Sequence, residues 1–286
     1  MRFSGPAQAF SKYIASHGTT RISTSHGVSV DDGAANDYGS YAQIISGANL
    51  THDCYGFWIN LNDATTGGAC TPGMVTIGVD PAGGTSYTTL VPDFILGPAA
   101  PLYGSPGTPG IWSYWPMFIK AGSSVGIKWQ TQDTTANTLN AFGLFHCAPL
   151  HPESVWAGGS CTVFGVTAAS TIGTVITPGS GVEGGWTEIG TLAASYNYWN
   201  IGVSFDDTTN TIQEYYFDLS IGDASNKLVV IQNLRVHGFT DETMSTPMHP
   251  PWQHYGRGVS GDKVYIRCFS GVGAPDITYV AAYGVR

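Results

Sequence analysis

Apolar and polar residues alternate over short runs along most of the chain, and no long stretch carries an apolar period of 3.6 residues. From Val75 to Val79 the apolar residues alternate with Thr76 and Gly78, the period of a half-buried strand. Pro81, Gly83 and Gly84 follow, with the fixed and permissive φ angles that a chain reversal needs. The next run, 87–96, is β-branched and aromatic again. Read in this way, the first half predicts eight strands, near 21–30, 40–46, 55–61, 75–79, 87–96, 114–120, 125–130 and 139–146. Gly, Pro, Thr and Asn clusters at 65–68, 104–110 and 133–137 separate them. Short strands at regular spacing with such turns indicate a sandwich or barrel, and eight of them suit a jelly roll. An immunoglobulin-like sandwich is the alternative. Residues 1–20 precede this pattern, and 7–15 read as a short helix or as an arm that reaches a neighbouring subunit.

The same order of segments returns in the second half. Residues 39–44 match 184–189 at a shift of 145, and 55–63 match 199–207 at 144. Residues 77–94 match 217–234 at 140, which sets Ile77 on Phe217, Leu90 on Val230 and Asp80 opposite Ser220. Residues 122–128 match 261–267 at 139, and 139–145 match 277–283 at 138. The shift drifts one way only, and its steps fall between apolar runs, where loops change length. The expectation is an all-β chain of two tandem jelly-roll-like β-sandwich domains related by internal duplication, each of roughly 130 residues, a usual domain size. The division is an N-terminal arm at 1–20, a first sandwich at 21–149, a linker at 150–160 and a second sandwich at 161–286. The stretch 148–160 carries Pro149, Pro152 and a Gly pair, which break regular structure.

Charge narrows the functional classes. Only 11% of the residues are charged, against roughly 25% in an average soluble domain. Eleven basic residues stand against 20 acidic ones, for a net charge of -9, and the basic residues are scattered singly. Nucleic-acid binding needs clustered Lys and Arg, so no DNA or RNA partner is expected, nor an anionic membrane surface. No apolar run reaches the roughly 18 residues of a membrane-spanning segment. The opening residues lack the apolar core of a secretory signal, so assembly in a cytoplasm and release by another route, such as lysis, is expected.

The five cysteines are Cys54, Cys70, Cys147, Cys161 and Cys268. Cys54 and Cys70 bracket one predicted loop and form the candidate disulfide; the alternative is that all five are small buried hydrophobes. Cys268 falls where the first copy has Trp129, which favours a core role for it.

Candidate chemistry is sparse. Asp63 and Asp207 sit at matched strand ends, where Asp commonly serves turns. A glycosidase needs two converging carboxyls, and the five glutamates offer no evident pair. His52 with Cys54, His146 with His151, and His249 with His254 have spacings that zinc accepts, but without the usual Cys pair and at different places in the two copies. Gly179–Gly184 spells G-x-G-x-x-G but leads into a predicted strand at 186–192, so it reads as a turn, not a nucleotide loop. No catalytic residue, metal site or cofactor is expected. The remaining candidates are aromatic: Trp112, Tyr114 and Trp115 in the first copy, and Trp252, His254 and Tyr255 at the similar place in the second. Such residues bind sugars, anchor interfaces, or plug the end of a sandwich core. The loops 97–110 and 240–251 are long and unlike each other, which marks them for partner contacts.

The run Ile77-Gly-Val-Asp-Pro-Ala-Gly-Gly-Thr-Ser-Tyr-Thr-Thr-Leu-Val-Pro-Asp93, followed by Phe118-Ile-Lys-Ala-Gly-Ser-Ser-Val125, resembles tandem-domain structural proteins of tailed bacteriophages. Gly222-Asp-Ala-Ser-Asn-Lys-Leu228 and the closing Tyr279-Val-Ala-Ala-Tyr-Gly284 are similar to the same group, so the resemblance spans about Gly39 to Arg286. It implies a non-enzymatic virion subunit on the particle exterior, a capsid decoration or tail-associated protein. Its implied partners are major capsid or tail proteins and copies of itself, contacted through the N-terminal arm and loops. The alternative is a receptor-binding fibre or spike module that holds a host surface glycan through the aromatic loops. A glycan-degrading enzyme is a third reading. The resemblance supplies no catalytic residues and no cofactor.

Overall fold

The computed structural model describes residues 13–15, 27–63, 73–96, 111–132, 137–147, 158–167, 172–206, 213–239, 243–245, 255–271 and 277–286. In the first half the strands are β1 (Tyr13–Ala15), β2 (Val28–Asp31), β3 (Ala42–Ile45), β4 (Gly56–Asp63), β5 (Gly73–Asp80), β6 (Thr88–Leu96), β7 (Ile111–Trp115), β8 (Ser124–Thr131) and β9 (Thr138–His146). The second half carries β10 (Cys161–Phe164), β11 (Thr174–Ile176), β12 (Gly179–Ser180), β13 (Thr187–Thr191), β14 (Tyr196–Asp206), β15 (Gln213–Gly222), β16 (Lys227–Phe239), β17 (Thr243–Ser245), β18 (Tyr255–Gly258), β19 (Lys263–Ser270) and β20 (Ile277–Val285).

The chain is all-β, and no sheet mixes strands from the two halves. Sheet I runs β2-β9-β4-β7, with β1 beside β2 on the same edge of β9, and sheet II runs β3-β8-β5-β6. Sheet III runs β11-β20-β14-β18, with β10 beside β11, and sheet IV runs β13-β19-β15-β16-β17, with β12 also on β19. Both halves thus thread two sheets in the same order, the jelly-roll arrangement. Core residues such as Val75, Ile77, Val125 and Ile127 are fully buried between sheets I and II, each worth about 1.5–3 kcal/mol of transfer free energy.

Four sequence expectations need correction. Residues 7–15 read as a short helix or an arm that reaches a neighbouring subunit; 7–12 lie outside the described residues, and Tyr13–Ala15 is a strand on β9, opposite Leu144 to His146. It stands where β10 stands on β20, so these three residues belong to the repeated unit. The strand expected at 114–120 is β7, Ile111–Trp115; Pro116 has no N–H to continue the ladder. The single shift of 140 for the hairpin also splits. Both hairpins carry a double bulge, at Val75, Ile77 and Gly78 and at Phe217, Leu219 and Ser220, which sets Ile77 on Leu219 and Asp80 on Gly222. The second turn is two residues shorter, so Asp93 still falls on Asn233. Each of that pair adopts positive φ, 43° and 53°, as residues of a bulge do. Last, Leu139 faces Asp63 while Ile277 faces Asp206, not Asp207. A one-residue slip exchanges the two faces of a strand, so packing settles this register.

Sheet III is buried on both sides. Its residues alternate between two cores: Trp199, Ile201, Val203, Val280 and Ala282 face the interior of the second sandwich. Tyr198, Ala281, Tyr283 and Val285 join the core of the first. There they cover the β6 and β7 edges. The Tyr283 hydroxyl accepts the Ile95 N–H at 2.8 Å and donates to the Asp93 carbonyl at 2.9 Å. Its ring makes edge contacts with Phe94 and Trp115, each at 5.5 Å, and those two meet at 5.2 Å. Asn200 donates to Ser113, the Tyr198 hydroxyl to the Tyr114 carbonyl, and Phe118 N–H to the Gly158 carbonyl. Gly202 makes the close approach easy, since a Cβ there would lie 3.0 Å from the Tyr283 hydroxyl and 3.1 Å from the Cβ of Ile95.

The β5–β6 turn is held by Asp80, 5% exposed, whose oxygens accept the N–H groups of Ala82 and Ser86, both at 2.9 Å. These bonds favour the ionised form and hold the carboxyl below its ordinary range. A lowered folded pKa adds stability above the unfolded value, and that stability is lost as pH falls through the folded one. Asp80→Asn should therefore unfold at lower urea than the parent at pH 7, with the gap closing in acid. A gap that stays constant into acid would contradict the turn-capping role.

Candidate functional site

Of the aromatic residues singled out from sequence, Tyr114 and Trp115 have described side chains, and both are buried. Trp115 is fully buried at the seam between the sandwiches. Tyr114 is 2% exposed and lies on the opposite face of β7, its ring 5.1 Å from that of Trp58. The period of two sends consecutive strand residues to opposite sides, so neither presents a ring for a ligand. Trp112 stands on β7 opposite Asn60 and Tyr255 on β18 opposite Tyr198, as backbone; Trp252 and His254 lie outside the described residues. The loops 97–110 and 240–242, with 246–251, also lie outside them.

Cys70 lies outside the described residues, and Cys54 is a free, buried thiol that donates to the Gly56 carbonyl at 2.9 Å. Its thiol neighbour is Cys147, and burial pushes its pKa up. Cys268 is 1% exposed in the second core, the role expected of it. Of the histidine candidates, His146 is buried on sheet I, while His151, His249 and His254 lie outside the described residues. Among the described residues no three His, Cys, Asp or Glu side chains gather at one point. Gly179–Gly184 is a tight turn: Gly181 has φ of 64°, and a Cβ at Gly179 would stand 2.6 Å from the Gly184 nitrogen.

What the structure does assemble lies on the outer faces of sheets II and IV. Gly78 and Gly126 are opposite each other at the middle of sheet II. Tyr41 and Tyr87 fill the space their missing side chains leave. A Cβ at Gly126 would stand 2.7 Å from the Tyr87 ring, and one at Gly78 would stand 2.9 Å from both tyrosines. The two rings are 4.8 Å apart and tilted by 39°. Tyr38 extends the row, its hydroxyl donating to Asp93 at 2.6 Å, and the Lys128 ammonium lies 4.6 Å from the Tyr38 ring and 5.0 Å from the Tyr41 ring. Burial, then the Asp93 hydrogen bond, raises the Tyr38 pKa far above the ordinary phenol value, so it stays a neutral donor.

Sheet IV repeats the scheme with different chemistry. Arg267 stands where Lys128 stands, and Trp186 where Tyr41 stands. The guanidinium lies 4.5 Å from the Trp186 ring and is bound by Asp218 at 2.7 Å and Glu183 at 2.8 Å. Asp218 also accepts the bulge N–H of Asn233 at 2.6 Å, as Thr76 accepts that of Asp93 at 3.4 Å. Where sheet II has glycines, sheet IV has Ser220 and Tyr265, and Lys227 covers the Tyr265 ring at 4.6 Å. One face is a row of tyrosines with a thin polar rim; the other is a closed network of ion pairs.

Sequence reasoning missed the tyrosine row. Its signal was the pair of glycines in mid-strand, which weaken a sheet unless a ring covers them.

No protein-family model and no curated protein matches the chain. Among solved structures it is similar to the CBM22-1-CBM22-2 tandem domain of Paenibacillus barcinonensis Xyn10C, at 14% identity over 99% of each chain, with a TM-score of 0.25. It is also similar to the CUB1-EGF-CUB2 domain of human MASP-1/3, at 10% identity over 96% of this chain and 99% of that one, with a TM-score of 0.22. Scores this low support no inference about ligand or activity.

Asp218 has a side chain only 3% exposed, so removing its cation leaves a buried charge. Arg267→Met should lower the unfolding free energy by about 2 kcal/mol, less than the roughly 3–5 kcal/mol of a fully buried pair, because Arg267 is partly solvated. Urea titration measures this; an unchanged midpoint would show that the network adds nothing to the fold.

Proposed function

We propose that the chain is a non-enzymatic structural subunit of a tailed-phage particle, carried on the exterior as a capsid decoration or tail-associated protein. The observation that carries this reading is the seam. Tyr198, Ala281, Tyr283 and Val285 of the second sandwich share one core with Phe94, Ile95 and Trp115 of the first. Two sandwiches locked in this way form a single stiff unit, where tandem modules on a flexible linker would swing independently. Stiffness suits a part that must hold a fixed place in a symmetric assembly. The sequence resemblance to tandem phage structural proteins supports the same reading. Its partners would be major capsid or tail proteins and further copies of the chain, met through the N-terminal segment and the loops at 97–110 and 240–251.

The test is to locate the chain on intact particles by immunogold labelling and cryo-electron microscopy. Regular density over the head lattice or along the tail is the expected result. Absence of the chain from purified particles would overturn the proposal.

A further inference from the structure

The row Tyr38–Tyr41–Tyr87 does more than the fold requires. Covering Gly78 and Gly126 does not bury these rings: Tyr38, Tyr41 and Tyr87 all remain partly exposed. The second sandwich holds the same sheet together without glycines at these positions, with Ser220 and Tyr265 instead. An open aromatic row is therefore a property of the first copy and not of the jelly roll. Its rim is polar but almost uncharged. Gln43 and Thr89 are exposed beside it, Thr89 sits opposite Gly78, and Lys128 is drawn down over two rings. The rings are fixed before any ligand arrives: Tyr38 by Asp93, Tyr41 and Tyr87 by each other and by the sheet. A preordered site loses little entropy on binding.

We propose that this face binds a neutral saccharide, whose C–H faces rest on the tyrosine rings and whose hydroxyls meet the Thr and Gln groups of the rim. The match is chemical. A ligand with flat apolar faces and a hydroxylated edge satisfies rings and rim together, in the way amphipathic aromatics bind. An extended peptide would instead seek the unpaired backbone of a sheet edge, and the row lies on the face. An acidic ligand would need a free cation, while Lys128 already rests over the Tyr38 and Tyr41 rings. This inference goes beyond particle membership and does not rest on it, so either can fail alone.

Affinity gel electrophoresis of the full chain tests it, with dextran, a β-1,3-glucan, a galactomannan and a neutral bacterial O-chain polysaccharide as probes. The parent should be retarded by at least one of them. Gln43→Arg, opposite Gly126, places a long side chain across the row while leaving the Tyr38–Asp93 and Tyr41–Thr89 hydrogen bonds in place; it should weaken retardation by about tenfold or more, roughly 1.4 kcal/mol, with an unchanged melting temperature. Tyr41→Ala with Tyr87→Ala should abolish it. Competition by free glucose or galactose then separates a single-sugar ligand from a polymer, both within the proposed class. Parent mobility unaffected by all four probes overturns the proposal, as does retardation that survives in both variants. Capture of the parent by an immobilised proline-rich peptide, without any polysaccharide retardation, overturns it in favour of a peptide ligand.

Discussion

An edge strand leaves a row of backbone groups without partners, and β6 is such an edge. One side chain closes it at its most awkward point. The bulge at Asp93 turns the backbone aside, and the Tyr283 hydroxyl takes up both the Ile95 N–H and the Asp93 carbonyl. Each group left unmade in a buried place would cost about 1–3 kcal/mol. The same residue supplies a ring to the Phe94–Trp115 cluster, so hydrogen bonding and packing at the seam fail or hold together. Sheet III can serve two cores only because its strands alternate apolar residues on both faces. That arrangement turns an ordinary second sandwich into the missing wall of the first.

The repeated order of strands explains the common frame, and the two copies differ at the edge that forms the seam. Ile95 faces Met74 on β5 and enters sheet III beside Gly202. The matching position on β16 is Arg235, opposite Tyr216 and paired with Glu214 at the surface. A charged residue there opposes burial against another sheet, a usual protection for a strand edge. Thr76 and Asp218 diverge in the same spirit. Both receive the bulge N–H, but the carboxylate needs Arg267, and that cation draws Trp186 and Glu183 into a closed network. Sheet II, with a neutral Thr76 at this place, keeps its tyrosines open.

Much of the frame was legible in the sequence because strand alternation and turn chemistry are local. The hairpin at 75–96, its Pro-Gly-Gly turn, the eight-strand order and the repetition of that order all follow from short-range patterns. The register was not, because a two-residue change in a turn and a pair of bulges leave no mark on hydrophobic alternation. The seam was also hidden: Trp115 stood among the candidate interaction aromatics and Tyr283 only as a position of the repeat, and nothing local tells an outer face that solvent wets from one that a second domain covers. Cys54 was set against Cys70 by proximity in the chain, whereas the sheet brings Cys147 to it. The tyrosine row escaped for a related reason. It joins Tyr38 and Tyr41 to Tyr87 across Gly78 and Gly126, on four strands or their flanks, and only the cross-strand pairing of the two glycines marks the place.

The central claim is that the two sandwiches form one cooperative body. Differential scanning calorimetry of the whole chain measures this directly. A shared core predicts one transition, with a ratio of calorimetric to van't Hoff enthalpy of about 1. Two resolved transitions, or one broad transition with a ratio near 2, would mean that the sandwiches unfold independently and that the Tyr283 seam does not couple them.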